Sequence, residues 1–376
     1  MNPAALAGTE DHPQARMVLS TGVDAGPSHA YLFHGPPGTG KRTAARSFAA
    51  ELLAEGSPEP DDVRRRVENG SHPDLTWVKP TGAHVMRTDD VAEPVIAAAT
   101  RTPFEAKRRV FVLERVETMN DEVANRMLKT LEEPAAFVHL ILLTDSLGQV
   151  LETVVSRCQL VRFDPLPADR IAAALEGEGV PAERAVACGR LALGNATRAR
   201  FLASPEGDAL RDDVEKLMVA ALADGGAPDE DSWRPLLERA EARREEAEER
   251  AAAEAERRLE LEPKGRERRA LAKQLEEGAK RDGRRARTEV LDLGLTLATL
   301  GFRDLVALAE GAGAAVLGSD RSAALAERAR GRDPRRLREA AERCEDVRDS
   351  LELNVSEDLA LAALSLRLAS LVGSAG

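Results

Sequence analysis

Eight consecutive residues constrain this chain more than any others: Gly35, Pro36, Pro37, Gly38, Thr39, Gly40, Lys41 and Arg42. They follow the apolar run Tyr31-Leu32-Phe33 and precede the alanine-rich stretch 43–53. Strand, glycine-rich turn and helix in that order give the G-x-x-x-x-G-K phosphate loop, whose backbone N–H groups and lysine cradle a polyphosphate. The residue after the lysine is ordinarily Ser or Thr, whose hydroxyl holds Mg²⁺. Arg42 stands there instead, and a fixed cation repels a metal ion. Thr43 comes one residue late, which on a helix turns its hydroxyl by about 100°. The expectation is a loop that can be built without a working metal site, and a glycine turn that binds nothing stays open beside it.

The rest of the N-terminal half repeats the alternation. Short β-type runs fall at 31–34, 74–78, 109–113, 139–144 and 159–163, and helical patterns at 43–53, 61–67, 88–99 and 120–131. This rhythm predicts a parallel sheet with helices on both faces. After Pro165 and Pro167 the pattern becomes helical, with short helices at 168–176, 182–193 and 197–203, and from about 207 helix continues to the C-terminus. The expected division is an α/β domain over 1–165, a helical lid over 166–205 and an all-helical domain over 206–376. Residues 239–262 are almost all Ala, Glu and Arg, and Pro263-Lys264-Gly265 then interrupts them. Such a segment has too few large apolar residues to be buried, and a coiled coil stays open beside the main reading although a sustained a/d seam is missing. It reads as a solvated, salt-bridged helical projection near 236–285.

Composition excludes whole classes. A net charge of −12 over 376 residues argues against a surface that grips nucleic acid everywhere, while leaving room for a local basic path. The three cysteines, Cys158, Cys188 and Cys344, have no metal or redox spacing, which points to a reducing compartment. No apolar run approaches the ~20 residues of a membrane span, and no signal-type segment opens the chain. A cytoplasmic protein without membrane contact is expected.

Two further places carry chemistry. The strand 109–113 leads to Glu114-Arg115, where a hydrolytic P-loop enzyme has an Asp for the metal and often a Glu that orients water. Glu114 keeps a carboxylate on a longer stem, but Arg115 cannot act as a base. With Arg42, that makes three departures from what phosphoryl transfer needs. The triplet Ser156-Arg157-Cys158 lies between two strands, at an edge from which an arginine can point into a neighbouring subunit's nucleotide.

The segment Asn125 to Pro134 (NRMLKTLEEP), the run HLILLT and the Ser156-Arg157-Cys158 triplet together resemble the clamp-loader branch of the AAA+ ATPases. His29-Ala30-Tyr31-Leu32-Phe33 and Ser71-His72-Pro73-Asp74-Leu75 fit the same family, over about residues 12–200. The resemblance implies an AAA+ core, a helical lid and a helical collar-type domain. It implies that Arg157 is an arginine finger offered in trans, that Thr144 senses a γ-phosphate and that Arg198 is the lid arginine. It further implies gamma/tau and delta-type partner subunits in a hetero-pentameric ring that loads a sliding clamp onto primed DNA. Polymerase (nucleotidyltransferase) activity would then belong to the holoenzyme. The gamma/tau relatives keep the metal residue and acidic pair, so their loss here favours a member that hydrolyses nothing. No cofactor is required on this reading, and ATP binding without hydrolysis is allowed. Many members hold a structural zinc on four cysteines, but 55–70 contains none, so no zinc is expected and the helix at 61–67 must be held by packing. The rivals are an active gamma/tau-like ATPase and a P-loop-derived scaffold outside replication.

Overall fold

The computed structural model describes residues 6–80, 86–223, 232–260, 265–351 and 355–373. The chain divides into two compact units, Met1–Leu166 and Pro167–Gly376.

The first unit is built on five parallel strands: β1 (Ala30–His34), β2 (Leu75–Val78), β3 (Arg109–Leu113), β4 (Val138–Thr144) and β5 (Gln159–Arg162). Their order across the sheet is β2-β3-β4-β1-β5. Its helices are α1 (Pro13–Ala25), α2 (Lys41–Ala54), α3 (Pro60–Glu68), α4 (Thr88–Val91), α5 (Asp121–Glu132) and α6 (Glu152–Val155). Side chains alternate across a strand, and here both faces are apolar. Tyr31, Phe33, Val110, Val112, Ile141 and Leu143 join one core with Leu19 of α1 and Phe48 and Leu52 of α2. Leu32, Phe111, Leu113, Leu140 and Leu142 join the other, with Val123 and Met127 of α5. A sheet covered on both faces is what parallel strands require, and it explains why these strands read as continuous apolar runs.

Three local differences from the sequence reading have identifiable causes. The helix expected over 88–99 is α-helical only at Thr88–Val91 and continues as a wider π-helical turn over Ala92–Ala97. Pro94 lies inside that stretch, and a proline can neither donate to the ladder nor fit against the preceding turn. The fifth strand ends at Arg162, although Phe163 N–H still donates to the His34 carbonyl at 2.8 Å. Helix α1, opened by Pro13, was not expected.

Helix α3 is held by burial of Val63 and Val67, by Arg64 on Glu51 (2.8 Å) and by Arg46, which donates to the carbonyls of Val67 and Glu68. Beside it His72 is buried, with Nε2 3.1 Å from Glu105, and Arg66 reaches the same carboxylate at 2.6 Å. Among the described residues no group of three or more His, Cys, Asp or Glu is arranged to hold a metal.

The second unit is helical: α7 (Ala168–Gly177), α8 (Ala182–Leu191), α9 (Ala196–Ala203), α10 (Pro205–Leu222), α11 (Arg234–Glu260), α12 (Arg266–Ala309), α13 (Ser322–Ala329), α14 (Pro334–Ser350) and α15 (Glu357–Val372). Helices on both sides of residue 205 pack into this one unit. Arg184 meets Asp208 at 3.2 Å, Arg190 donates to the Val316 carbonyl, and a buried Arg211–Asp320 pair (2.6 Å) ties α10 to the turn before α13. Gly207 is obligatory at the start of α10, because a Cβ there would sit 1.9 Å from the Phe201 carbonyl oxygen. The stretch expected as a charged helical projection near 236–285 forms a hairpin of α11 and α12. Gly283 of α12 lies against Glu248 of α11, and Gly294 against Leu236, which sets the two helices antiparallel. The expected interruption at Pro263-Lys264 lies outside the described residues. Among the described residues no helix is long and apolar enough to cross a membrane.

Candidate functional site

In open parallel sheets, ligand sites form beyond the carboxyl ends of the strands. In this sheet His34 at the end of β1 is in register with Thr144 at the end of β4, and β3 lies on the other side of β4. The ends of β1, β3 and β4 therefore bring together Gly35–Arg42, Glu114 and Thr144, which are distant in sequence.

The loop is a turn that only glycine allows. Gly38 (φ 74°) and Gly40 (φ 93°) are left-handed, and a Cβ on Gly35 would fall 1.9 Å from the Phe163 carbonyl oxygen. Pro36 and Pro37 stiffen its first half, and the Thr39 hydroxyl donates to the Pro36 carbonyl at 2.9 Å. The N-terminal turn presses on the loop from outside. His12 Nε2 meets the Thr39 carbonyl at 2.7 Å, Ser47 donates to the Ala7 carbonyl, and Gly8 packs so closely on Gly40 and Ala44 that a side chain there would collide with both.

Lys41 is buried and turned inward. Its ammonium donates to the carbonyls of Gly35 and Pro36 (2.6 Å to the latter) and pairs with Asp145 at 2.8 Å. Burial lowers its pKa, and Asp145 opposes that shift. Arg42 spans to the end of β3, its guanidinium 2.6 Å from one oxygen of Glu114, while Trp77 Nε1–H donates to the other oxygen at 2.7 Å. The Glu114 side chain is only 4% exposed and Arg42 60%, so the carboxylate is the buried partner. Both oxygens of the acid that would face a metal are thus occupied by donors, and one of those donors is the residue that stands where a metal-binding hydroxyl belongs. Arg115 follows with φ 56° and ψ 49°, a left-handed backbone uncommon for a non-glycine residue. The Thr144 hydroxyl is engaged locally, donating to the Ser146 carbonyl and accepting from Ser146 N–H, both at 3.1 Å.

Arg157 lies elsewhere on the first unit, after α6. Its Nε donates to Glu132 of α5 at 2.8 Å, its Nη2 reaches the same oxygen, and Nη1 donates to the Thr153 carbonyl at 2.8 Å. The side chain remains one-third exposed. Arg198 belongs to the second unit, where the neighbours that act on it are Asp292 and Arg348 and burial lowers its pKa. Its backbone N–H is capped by Asn195 at 2.9 Å.

Sequence reasoning missed Asp145, Trp77, Glu132 and the Gly8–His12 turn. Asp145 had a weak signal, as an acid just past a buried strand. Glu132 sits inside the LEEP run that carried the resemblance. Nothing local marks Trp77 or Gly8, which reach the site only through the fold.

A phosphate loop between β1 and α2, in a parallel sheet ordered β2-β3-β4-β1-β5, makes the first unit a P-loop α/β domain. Residues 13–167 match the family described as "DNA polymerase III, delta subunit". Among relatives, the DNA polymerase III subunit delta′ of Bacillus subtilis (strain 168) is 36% identical over 143 residues, 37% of this chain and 43% of that protein. The delta′ subunit of Pseudomonas aeruginosa is 34% identical over 145 residues, 37% of this chain and 44% of that protein. The tau subunit of B. subtilis is 33% identical over 143 residues, 36% of this chain and 24% of its own length. The matches span less than half the length of each of these relatives.

Proposed function

We propose that this chain is a delta-prime-type subunit of a bacterial clamp loader, a cytoplasmic member that hydrolyses no ATP itself. It would sit in a hetero-pentameric ring with gamma/tau and delta-type subunits, and the ring would open a sliding clamp and place it on primed DNA. The ring's ATP hydrolysis would be done by the gamma/tau-type partners. This chain would supply structure and, through Arg157, a guanidinium directed at a partner's nucleotide. Polymerase chemistry would remain with the holoenzyme.

The observation that carries the reading is the Arg42–Glu114 pair, in a unit similar to delta′ subunits. Transfer of a γ-phosphoryl group needs a cation bridging the β- and γ-oxygens and an acid to hold it. A guanidinium bound to that acid in the same chain leaves the metal neither ligand nor charge to balance. Arg115 supplies no base. The loop itself keeps its turn and its lysine, so nucleotide without hydrolysis remains compatible with it, and no bound zinc is required.

Reconstitution tests the reading. The chain alone should turn over no ATP with Mg²⁺, and adding it to gamma/tau- and delta-type subunits should raise DNA-stimulated hydrolysis and clamp loading. Mg²⁺-dependent turnover by the isolated chain, abolished by Lys41→Ala, would overturn it in favour of an active motor. Failure to enter the ring would favour a scaffold outside replication.

A further inference from the structure

The α11–α12 hairpin is the part of the chain that the clamp-loader reading leaves without a task. Among the described residues from Glu241 to Asp282 none is buried. The hairpin closes on small residues, with Gly283 against Glu248, so its two outer faces are left to solvent. Those faces differ in charge. At 100° per residue, the side of α12 turned away from α11 collects Arg269, Lys273, Lys280, Arg281, Arg284 and Arg285 between residues 269 and 285. Two acids, Glu276 and Glu277, share that side. Glu276 pairs with Lys280 at 2.7 Å, Glu277 with Arg281 at 4.0 Å and Glu289 with Arg285 at 2.9 Å. The exposed side of α11 is mixed, with Glu245, Glu246, Glu249, Glu254 and Glu256 beside Arg243, Arg250 and Arg257, and Glu246 pairs with both Arg243 and Arg250. In a chain of net charge −12, six basic side chains on one helix face are a local reversal of sign.

We propose that this face of α12 is a contact surface for the phosphate backbone of duplex DNA. Residues 269–285 span about 24 Å of helix, along which B-form DNA presents on the order of a dozen phosphate charges. The long flexible side chains on this row suit phosphate contact, which positions a duplex without reading its sequence. No aromatic residue lies between 269 and 285, so the face has no platform on which to stack single-stranded bases. The choice of DNA over an acidic protein rests on the clamp-loader reading.

The test uses the full chain and a short mixed-sequence duplex, with binding followed by fluorescence anisotropy across a range of KCl concentrations. The Lys273→Ala/Lys280→Ala/Arg284→Ala variant keeps good helix formers at exposed positions, and circular dichroism checks that it folds. It should bind at least tenfold more weakly near 0.1 M salt. Each lost phosphate contact removes about 0.9 from the slope of log K against log salt, so its slope should fall by about 2–3. A control with Glu245, Glu249 and Glu254 changed to Ala should bind as tightly as the parent or more tightly. Equal affinity and slope in parent and triple variant would overturn the proposal. So would displacement of parent protein from duplex by polyglutamate at equal charge concentration, which would mark an acidic protein as the occupant. Ring assembly and clamp loading, measured separately, distinguish failure of this inference from failure of the loader reading. A chain that loads clamps but shows no change on triple substitution refutes only the arm. A chain that binds duplex through α12 but never joins a loader refutes only the loader.

Discussion

The Arg42 guanidinium and the Glu114 carboxylate, 72 positions apart in sequence, meet at 2.6 Å across the ends of α2 and β3. Trp77 holds the second carboxylate oxygen at 2.7 Å. An exposed ion pair is worth about 0–1 kcal/mol, whereas removing the partner of a buried charge is far more costly. Here one partner is buried and the other mostly exposed. Arg42→Ala should therefore destabilise the protein by about 1–2 kcal/mol, between those limits. Urea denaturation of Arg42→Ala, Glu114→Gln and the double variant checks this. The double variant should recover most of the loss, because no uncompensated carboxylate is left, and strict additivity would show that the pair does not couple.

Arg157 is held by Glu132 and the Thr153 carbonyl and is still one-third exposed. On the proposed function, its guanidinium stabilises charge that develops on a partner's γ-phosphate in the transition state. Arg157→Ala should then leave ring assembly intact and silence the one ATPase site it serves, since a finger accounts for roughly 10³–10⁵ in rate at its site. Arg157→Lys should restore little, because an ammonium lacks the planar fork. Wild-type turnover per assembled ring in Arg157→Ala would show instead that the residue serves only its own domain.

Burial pushes the thiols of Cys158 and Cys344 up to about 12, and raises that of Cys188 as well. At pH 8 roughly one thiol in 10⁴ at the first two positions is the reactive thiolate. Maleimide labelling of the native protein should be slow at both and should track unfolding when urea is added. Rapid stoichiometric labelling without denaturant would contradict the packing around them.

His139 is buried in β4, with Nδ1 3.0 Å from the Ser28 carbonyl. Burial lowers its pKa, with Arg108 and His29 acting the same way, and the contact with Ser28 opposes them. His72 and His34 are also lowered, first by burial. The unfolded chain then binds more protons than the folded one once pH falls below about 6.5. Stability from these residues is complete above that value and declines as pH drops toward their folded pKa values. Thermal or urea unfolding between pH 7.5 and 5.5 should show that decline, and His139→Gln should flatten part of it. An unchanged slope in that variant would assign the effect to the other two histidines.

Much of the first unit was legible in the sequence because its causes are local. Glycines that must be left-handed, a lysine at the first helical position and apolar runs buried on both faces each leave a mark within a few residues. That is why the loop at 35–42, the strands and helices α2 and α5 were found near their observed limits. Pro94 was visible too, yet its effect on the helix after Thr88 depended on whether packing would carry the turn past it. The absence of a metal hydroxyl after Lys41 was likewise written in the chain. What the sequence did not contain was where Arg42 would go. Only the parallel sheet, which aligns the ends of its strands, sets its guanidinium on Glu114, Lys41 on Asp145 and the Trp77 indole on Glu114. In the same way, the composition of 239–262 announced a solvated helix, but its pairing with α12 and the row of basic side chains on the outer face of α12 arise from rotation about the helix axes. Composition and spacing determine which groups are available. Which of them meet is decided by long-range strand register and helix phase, and neither is stored in any one segment of the chain.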